Sequence, residues 1–172
     1  MTRLGTLVQE ALAQLEWAGE LTADEAAGTS QLQTLITIDD QPCSLYIDTR
    51  EEKDYIGVFF YPPFRAKAAA YPETCLLINA INTRTRHGHL EVLRHNGRLR
   101  MVVSADVKGA NPTGAFVAHL MRYGADCLFT WMGELAAVAV GNRRADDVLA
   151  ELELDAVPPT APAEEEGAAC TG

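Results

Sequence analysis

The dipeptide Asn96-Gly97 constrains the fold of this 172-residue chain more than any other feature of its sequence. Asn-Gly between two alternating segments favours a two-residue type I′ turn, which joins adjacent antiparallel strands. That register places Glu91 opposite Val102 and diagonal to Arg100, with which it is expected to form an ion pair. The alternation predicts a core face of Leu90, Val92, Leu99, Met101 and Val103, and a mostly solvated face of His89, Glu91, Leu93, His95, Arg98 and Arg100.

Three further extended segments precede this hairpin. Residues 32–38, 43–48 and 55–61 are short, rich in β-branched and aromatic residues, and separated by turn sequences. Strands that are joined this tightly form an antiparallel meander. Before them, apolar residues recur at three- and four-residue steps over residues 4–15, which predicts an amphipathic helix.

Two more helices are predicted around the hairpin. The second helix begins near Pro72 and ends with Arg84 and Arg86 in its last turn, with Gly88 as a left-handed cap. Helical spacing over residues 116–141 predicts a long last helix, which Gly124 could kink or divide.

The predicted element order defines an α+β fold. It reads helix, three-stranded meander, helix, β-hairpin and long helix, with the helices packed on an antiparallel sheet. Residues 1–145 are expected to form a single domain and residues 146–155 a possible short helix. Residues 156–172 are rich in proline and glutamate and are expected to form a disordered acidic tail.

The formal net charge of −10 is concentrated at the two ends of the chain. Residues 1–30 carry −4 and residues 143–172 carry −6, so the middle of the chain is neutral. Nucleic-acid backbones and anionic membranes attract a net positive face, so neither is expected as a partner. The start of the chain lacks the apolar run of a signal peptide, and no segment approaches the roughly 18 apolar residues of a membrane span. We therefore expect a cytoplasmic protein.

No recognised catalytic motif occurs in the sequence. Glycine-rich phosphate loops, Gly-x-Ser-x-Gly elbows and His-Glu-x-x-His helices are all absent. The four cysteines are far apart and do not combine with histidine at metal-ligand spacing. His89 and His95, at six residues apart on one strand, are about 20 Å from each other and do not share a metal. We expect neither a metal nor a cofactor, and we expect no enzymatic activity.

Five residues are candidates for contact with a protein partner. Residues 83–103 hold five arginines and one acid, and three of these arginines, Arg94, Arg98 and Arg100, surround the predicted turn. They form either an ordinary solvated face or a site for an acidic surface, including the acidic tail of this chain. The fourth candidate is Phe60, which follows Phe59 in the third predicted strand. Adjacent residues of a strand point to opposite faces, so one of these two rings meets either a second interface or a helix. The fifth candidate is Trp131, on the long helix, and core packing is the alternative for both aromatic candidates.

The segment "LLINAINTRTRHGHLEVLRHNGRLRMVVSADVKGANPTGAFVAHLM" resembles the YbjN family of bacterial sensory transduction regulators. The matching features are the helix that enters Gly88, the hairpin, the strand exit "SADVKG" and the long last helix, and the resemblance covers residues 32–142. This family is similar in fold to the type III secretion chaperones. The resemblance implies a small bacterial protein, often a homodimer, that binds other proteins, and it implies no catalytic residues.

The expected function follows from these observations. The first hypothesis is a non-enzymatic protein-binding module, chaperone-like or regulatory, that works as a homodimer through its sheet or its long helix. The alternative is a sensor that responds to a small molecule through the basic face of the hairpin, with Arg98 and Arg100 as ligand contacts.

Overall fold

The computed structural model of the chain describes residues 1–152. These residues form one six-stranded antiparallel sheet, in the order β1-β2-β3-β4-β6-β5, and four α-helices. The predicted α+β class and antiparallel sheet are confirmed. The elements are α1 Arg3–Leu15, β1 Thr22–Asp24, β2 Thr29–Ile38, β3 Gln41–Arg50, β4 Tyr55–Tyr61, α2 Tyr71–Asn82, β5 His89–Val92, β6 Leu99–Asp106, α3 Gly114–Ala139 and α4 Ala145–Glu151.

The helices pack on one face of the sheet. Helix α1 lies along α3, which crosses β4 and β6, while α2 packs against β5, α3 and α4. Inward-facing strand residues, among them Ile47, Val58 and Met101, are fully buried and join the helices in one core. The residues that alternate with them point to the opposite face, which the helices of residues 1–152 leave open.

Phe60 and Gly124 bring the longest helix onto the sheet. The Phe60 side chain is fully buried and meets the Trp17 ring edge-on, at 6.3 Å between centroids. A Cβ on Gly124 would lie 2.3 Å from Cε2 of Phe60. The glycine therefore leaves the space that the phenyl ring fills. Helix α3 continues through Gly124 as a single helix, so of the two possibilities, a kink or a division, Gly124 does not divide it.

The predicted register of the hairpin is also wrong, by two residues. Glu91 pairs with Arg100, and residues 94–97 form a four-residue loop in which only Gly97 has a positive φ, of 66°. A type I′ turn requires positive φ at Asn96 as well. The loop is held instead by the backbone of Ala66, whose N–H donates to the carbonyl of Gly97 at 2.8 Å. Since a shift of two residues keeps every side chain on its face, the predicted core and solvent faces stand.

Helix α2 ends earlier than predicted, at Asn82. The Asn82 amide donates to the carbonyl of Leu90 at 3.0 Å and accepts from its N–H at 2.7 Å, which ties the end of α2 to the start of β5. Arg84 and Arg86 lie beyond the last turn, so their predicted place at the end of the helix is wrong. Gly88 has the expected positive φ, of 95°, but it leads into β5 and does not cap α2.

Strand β1 near the start of the chain and helix α4 near its end are the two short terminal elements. Strand β1 was not predicted, because its three residues are exposed and join the sheet through backbone pairing with residues 29–31. Helix α4 spans Ala145–Glu151, so it begins one residue before the segment predicted as a possible short helix, 146–155. The whole predicted acidic tail, residues 156–172, and residues 153–155 before it lie outside the described residues.

Two glycines of α3 provide a matched test of this packing. Gly124→Ala should lower the free energy of unfolding by about 1–3 kcal/mol, because the added methyl group displaces Phe60. Gly133→Ala should raise it by about 0.5–1 kcal/mol, since a Cβ there meets no atom within 4 Å and alanine favours the helix. Urea unfolding followed by circular dichroism measures both. A Gly124→Ala variant as stable as the Gly133→Ala variant would contradict the packing described.

Candidate functional site

The open face of the sheet carries a cluster of aromatic and arginine side chains. It comprises Tyr46 from β3, Phe59 and Tyr61 from β4, Arg98 from the hairpin loop's end, and Arg100 from β6, and we call it the open-face cluster. Strand alternation places these side chains together, because each is one residue away from a buried core position.

The rings and guanidinium groups of the cluster are stacked against one another. The Phe59 and Tyr46 rings lie 5.8 Å apart between centroids. The guanidinium carbon of Arg98 lies 4.4 Å from the Tyr61 centroid, and that of Arg100 lies 5.1 Å from the Phe59 centroid. Each such contact contributes about 0.5–1 kcal/mol at an exposed position. The contacts hold the long arginine side chains in defined orientations on an exposed surface.

Glu91 forms an ion pair with Arg100 at the edge of the open-face cluster. Nε of Arg100 donates to Oε2 of Glu91 at 2.6 Å, and its Nη1 lies 3.4 Å from the Tyr61 hydroxyl oxygen. Nε2 of His89 lies 2.8 Å from the other carboxylate oxygen of Glu91. The predicted ion pair is confirmed, although the two residues are directly opposite and not diagonal. Partial burial acts to raise the pKa of Glu91, but the hydrogen bonds from His89 and Arg100 outweigh it and lower that pKa.

The open face also has an apolar component. Val102 points to this face beside Phe59 and is only 6% exposed, although it lies apart from the main core. On the neighbouring part of the face, Leu35 of β2 is 68% exposed, the largest value among the bulky apolar side chains of residues 2–152. The surface therefore combines aromatic, aliphatic and cationic groups.

The structure brings together two of the five predicted contact residues. Arg98 and Arg100 belong to the open-face cluster, whereas Arg94 is exposed in the loop 94–97 and lines a separate hollow. Trp131 is half-buried against the core on α3. The prediction that Phe60 contacts a partner is wrong, because its side chain is fully buried under α3. Phe59 is the accessible member of the pair.

Three members of the cluster were not predicted as contact residues. They are Tyr46, Phe59 and Tyr61. The sequence did predict that Phe59 and Phe60 face opposite ways, but the choice between them depends on which face α3 covers. A pairing of β4 with β6 places Arg98 and Arg100 beside these aromatics, and no local pattern indicates that pairing.

The ionisable and aromatic groups of the structure define the chemistry that the site offers. Within residues 1–152, no group of three or more His, Cys, Asp or Glu is placed to hold a metal ion. Burial raises the pKa of Cys43 to about 11, so this thiol stays protonated at neutral pH. Planar guanidinium groups and aromatic rings of the open-face cluster provide donors and apolar contact area together.

The chain is thus a helix-backed antiparallel sheet whose other face carries the open-face cluster. The YbjN family model, described as "Putative bacterial sensory transduction regulator", matches residues 5–127, which is well over half of the chain. The chain belongs to the YbjN family. A search of curated proteins finds no match. None of the helices in residues 1–152 has the length and apolar character needed to cross a membrane.

Glu91→Gln tests the ion pair through its dependence on pH. Because the pKa of Glu91 is lowered in the folded state, its charge stabilises the fold at neutral pH, and this contribution is lost as pH falls through the lowered pKa. The variant should be less stable than wild type by up to about 1 kcal/mol at pH 7, and the difference should be smaller at pH 3. Urea unfolding at both pH values measures the difference. The exposed Glu52→Gln is the control, and an equal loss at both pH values would contradict the role of the charge.

Proposed function

We propose that the chain is a non-enzymatic regulator that acts by binding another protein on the open face of its sheet. The observation that carries the proposal is the open-face cluster, in which aromatic and arginine side chains are held in place on the uncovered side of the sheet. The regulatory part of the proposal draws support from the description of the YbjN family.

The composition of the open face favours a protein partner. Tyrosine and arginine are enriched among the residues that dominate the binding energy of protein interfaces. The stacking of Arg98 on Tyr61 and of Arg100 on Phe59 reduces the side-chain entropy that binding removes. Leu35 adds an exposed aliphatic contact on the same face. A partner with acidic and apolar side chains complements these groups.

A small-molecule sensor at the same place is less well supported. The hollow beside Arg98, lined by Gln33, Ser44, Tyr46 and Tyr61, has a volume of about 220 Å³. Ligand sites for small molecules generally enclose about 300–1,000 Å³. The arginines of the hairpin therefore fit a broad protein contact better than an enclosed ligand.

The proposal includes a homodimer in a bacterial cytoplasm, with a chaperone-like mode of binding. Large apolar side chains on both sides of the molecule support self-association, since Leu35 is exposed on the sheet and Phe129 is exposed on α3. Light scattering at micromolar concentration is expected to give twice the 18.7 kDa mass of one chain. A mass of one chain would remove the homodimer and leave the open-face site in place.

Affinity capture from the native host with matched variants tests the open face. Leu35→Asp and Arg98→Glu each place a negative charge on this face, and Phe129→Asp places one on the outer side of α3. Recovery of a reproducible partner should fall at least about tenfold with the first two variants and be unchanged with the third. Melting temperatures establish that all three variants are folded.

The opposite pattern would contradict the proposal. If Phe129→Asp removes the partner while Leu35→Asp and Arg98→Glu retain it, binding takes place on α3. If all three folded variants recover the partner as well as wild type does, the open face has no part in binding.

A further inference from the structure

A second concave site lies outside the open-face cluster, between α3 and the segment that follows α2. We call it the connector pocket, because residues 86–88, which connect α2 to β5, form one of its walls. The other walls are the end of β6 and one side of α3, and the volume is about 520 Å³. It is lined by Arg86, His87, Gly88, Ser104, Ala105, Phe116, His119, Leu120 and Tyr123.

The polar lining of this pocket is basic. Arg86 contributes a guanidinium group, and His87 and His119 contribute two imidazoles. No aspartate or glutamate is among the lining residues, although the chain as a whole carries a formal charge of −10. A hollow of about 660 Å³ elsewhere on residues 1–152 differs in this respect, because Glu73 and Asp147 are among its lining residues. Anionic groups are therefore favoured in the connector pocket.

The basic wall is held in position by Tyr123. Its hydroxyl oxygen accepts hydrogen bonds from the backbone N–H groups of Arg86 and His87, at 3.0 and 3.2 Å. The His87 ring also packs edge-on against the Tyr123 ring, at 5.5 Å between centroids. On the other side, a Cβ on Gly88 would lie 2.2 Å from the carbonyl oxygen of Val102, so the connector runs directly against β6. The backbone that carries Arg86 and His87 is thus fixed at both ends of the wall.

The end of β6 contributes backbone groups to the same place. The backbone N–H of Leu93 donates to the carbonyl of Arg98, so the backbone groups of Arg98 point toward β5. Because backbone groups alternate in direction along a strand, the even-numbered residues of β6 also direct their N–H and C=O groups toward β5. The backbone N–H of Val107 donates to the carbonyl of Asp54, so the odd-numbered residues of β6 direct their backbone groups toward β4. Strand β5 begins at His89, opposite Val102. The N–H and C=O of Ser104 therefore face the edge beyond β5, where the connector pocket lies.

Helix α3 adds apolar groups to the lining beside His119 and Tyr123. Phe116 and Leu120 lie on the side of α3 that lines the pocket, and the Phe116 side chain is exposed. A volume of about 520 Å³ falls in the range of small-molecule sites, roughly 300–1,000 Å³. The pocket thus combines the guanidinium group of Arg86 on the connector with the apolar side chains of Phe116 and Leu120 on α3.

We propose that the connector pocket binds a small organic anion. A carboxylate or phosphate head is placed against Arg86, His87 and the N–H of Ser104, and an apolar body lies against Phe116 and Leu120. Guanidinium groups bind both kinds of head through paired, charge-assisted hydrogen bonds. The connector pocket shares no residue with the open-face cluster. Anion binding in the pocket therefore goes beyond the proposed protein-binding function and is tested independently of it.

Titrations followed by NMR of the full ¹⁵N-labelled chain test the site. The probes are benzoate and phenyl phosphate, which differ in the anionic head, and neutral benzamide, which has the same ring without the charge. Benzoate, phenyl phosphate or both should give saturable shifts at the amides of Arg86, His87, Ser104 and His119. Benzamide should bind at least about tenfold more weakly, because it lacks the charge-assisted hydrogen bonds. The stronger of the two anions identifies the preferred head.

Two arginine variants complete the experiment. Arg86→Gln should raise the dissociation constant of the stronger probe at least about tenfold. Arg94→Gln removes the same charge from the loop 94–97, outside the pocket, and should leave the dissociation constant unchanged. Well-dispersed spectra establish that both variants are folded. Equal binding of benzamide and the anions, shifts confined to other surfaces, no saturable shift with any probe, or unchanged binding in Arg86→Gln would each overturn the proposal.

Discussion

Phe60 lies with its whole side chain under α3, where Gly124 leaves room for a phenyl ring. This contact sets which side of β4 faces the helices, and strand alternation then sends Phe59 and Tyr61 to the other side. Because β6 pairs with β4, Arg98 and Arg100 are carried to the same open face. The position of the candidate binding surface therefore follows from a packing contact in the core on the opposite side of the sheet.

Local patterns predicted the elements of the fold better than their connections. The β-branched and aromatic residues over 55–61 predicted β4 at its observed bounds, and helical spacing predicted α1 and α3 closely. The hairpin register depended on a distant contact, since the backbone of Ala66 holds Gly97 and determines the loop. Strand β1 has no apolar alternation to reveal it, because its residues are exposed and pair through the backbone alone.

The candidate site was predictable only in part, for a related reason. Arg98 and Arg100 were identifiable because the hairpin places them on its polar face. Tyr46 and Tyr61 belong to strands that are distant in sequence from the hairpin, and the β3-β4-β6 order brings them together. For Phe60, the aromatic run indicated an unusual surface but did not indicate which of two adjacent rings α3 covers. The tertiary arrangement supplied that information.

In the proposed function, the open face of the sheet, and not the outer side of the helices, meets a protein partner. Photo-crosslinking in the native host tests it most directly, with a photoreactive phenylalanine analogue placed at position 35 or at position 129. Leu35 and Phe129 are the replaced residues, and both are highly exposed, at 68% and 57%. We expect position 35 to crosslink a discrete protein other than a second copy of this chain, and position 129 to crosslink no such protein. Crosslinking of another protein from position 129 alone, or from neither position, would contradict binding at the open face.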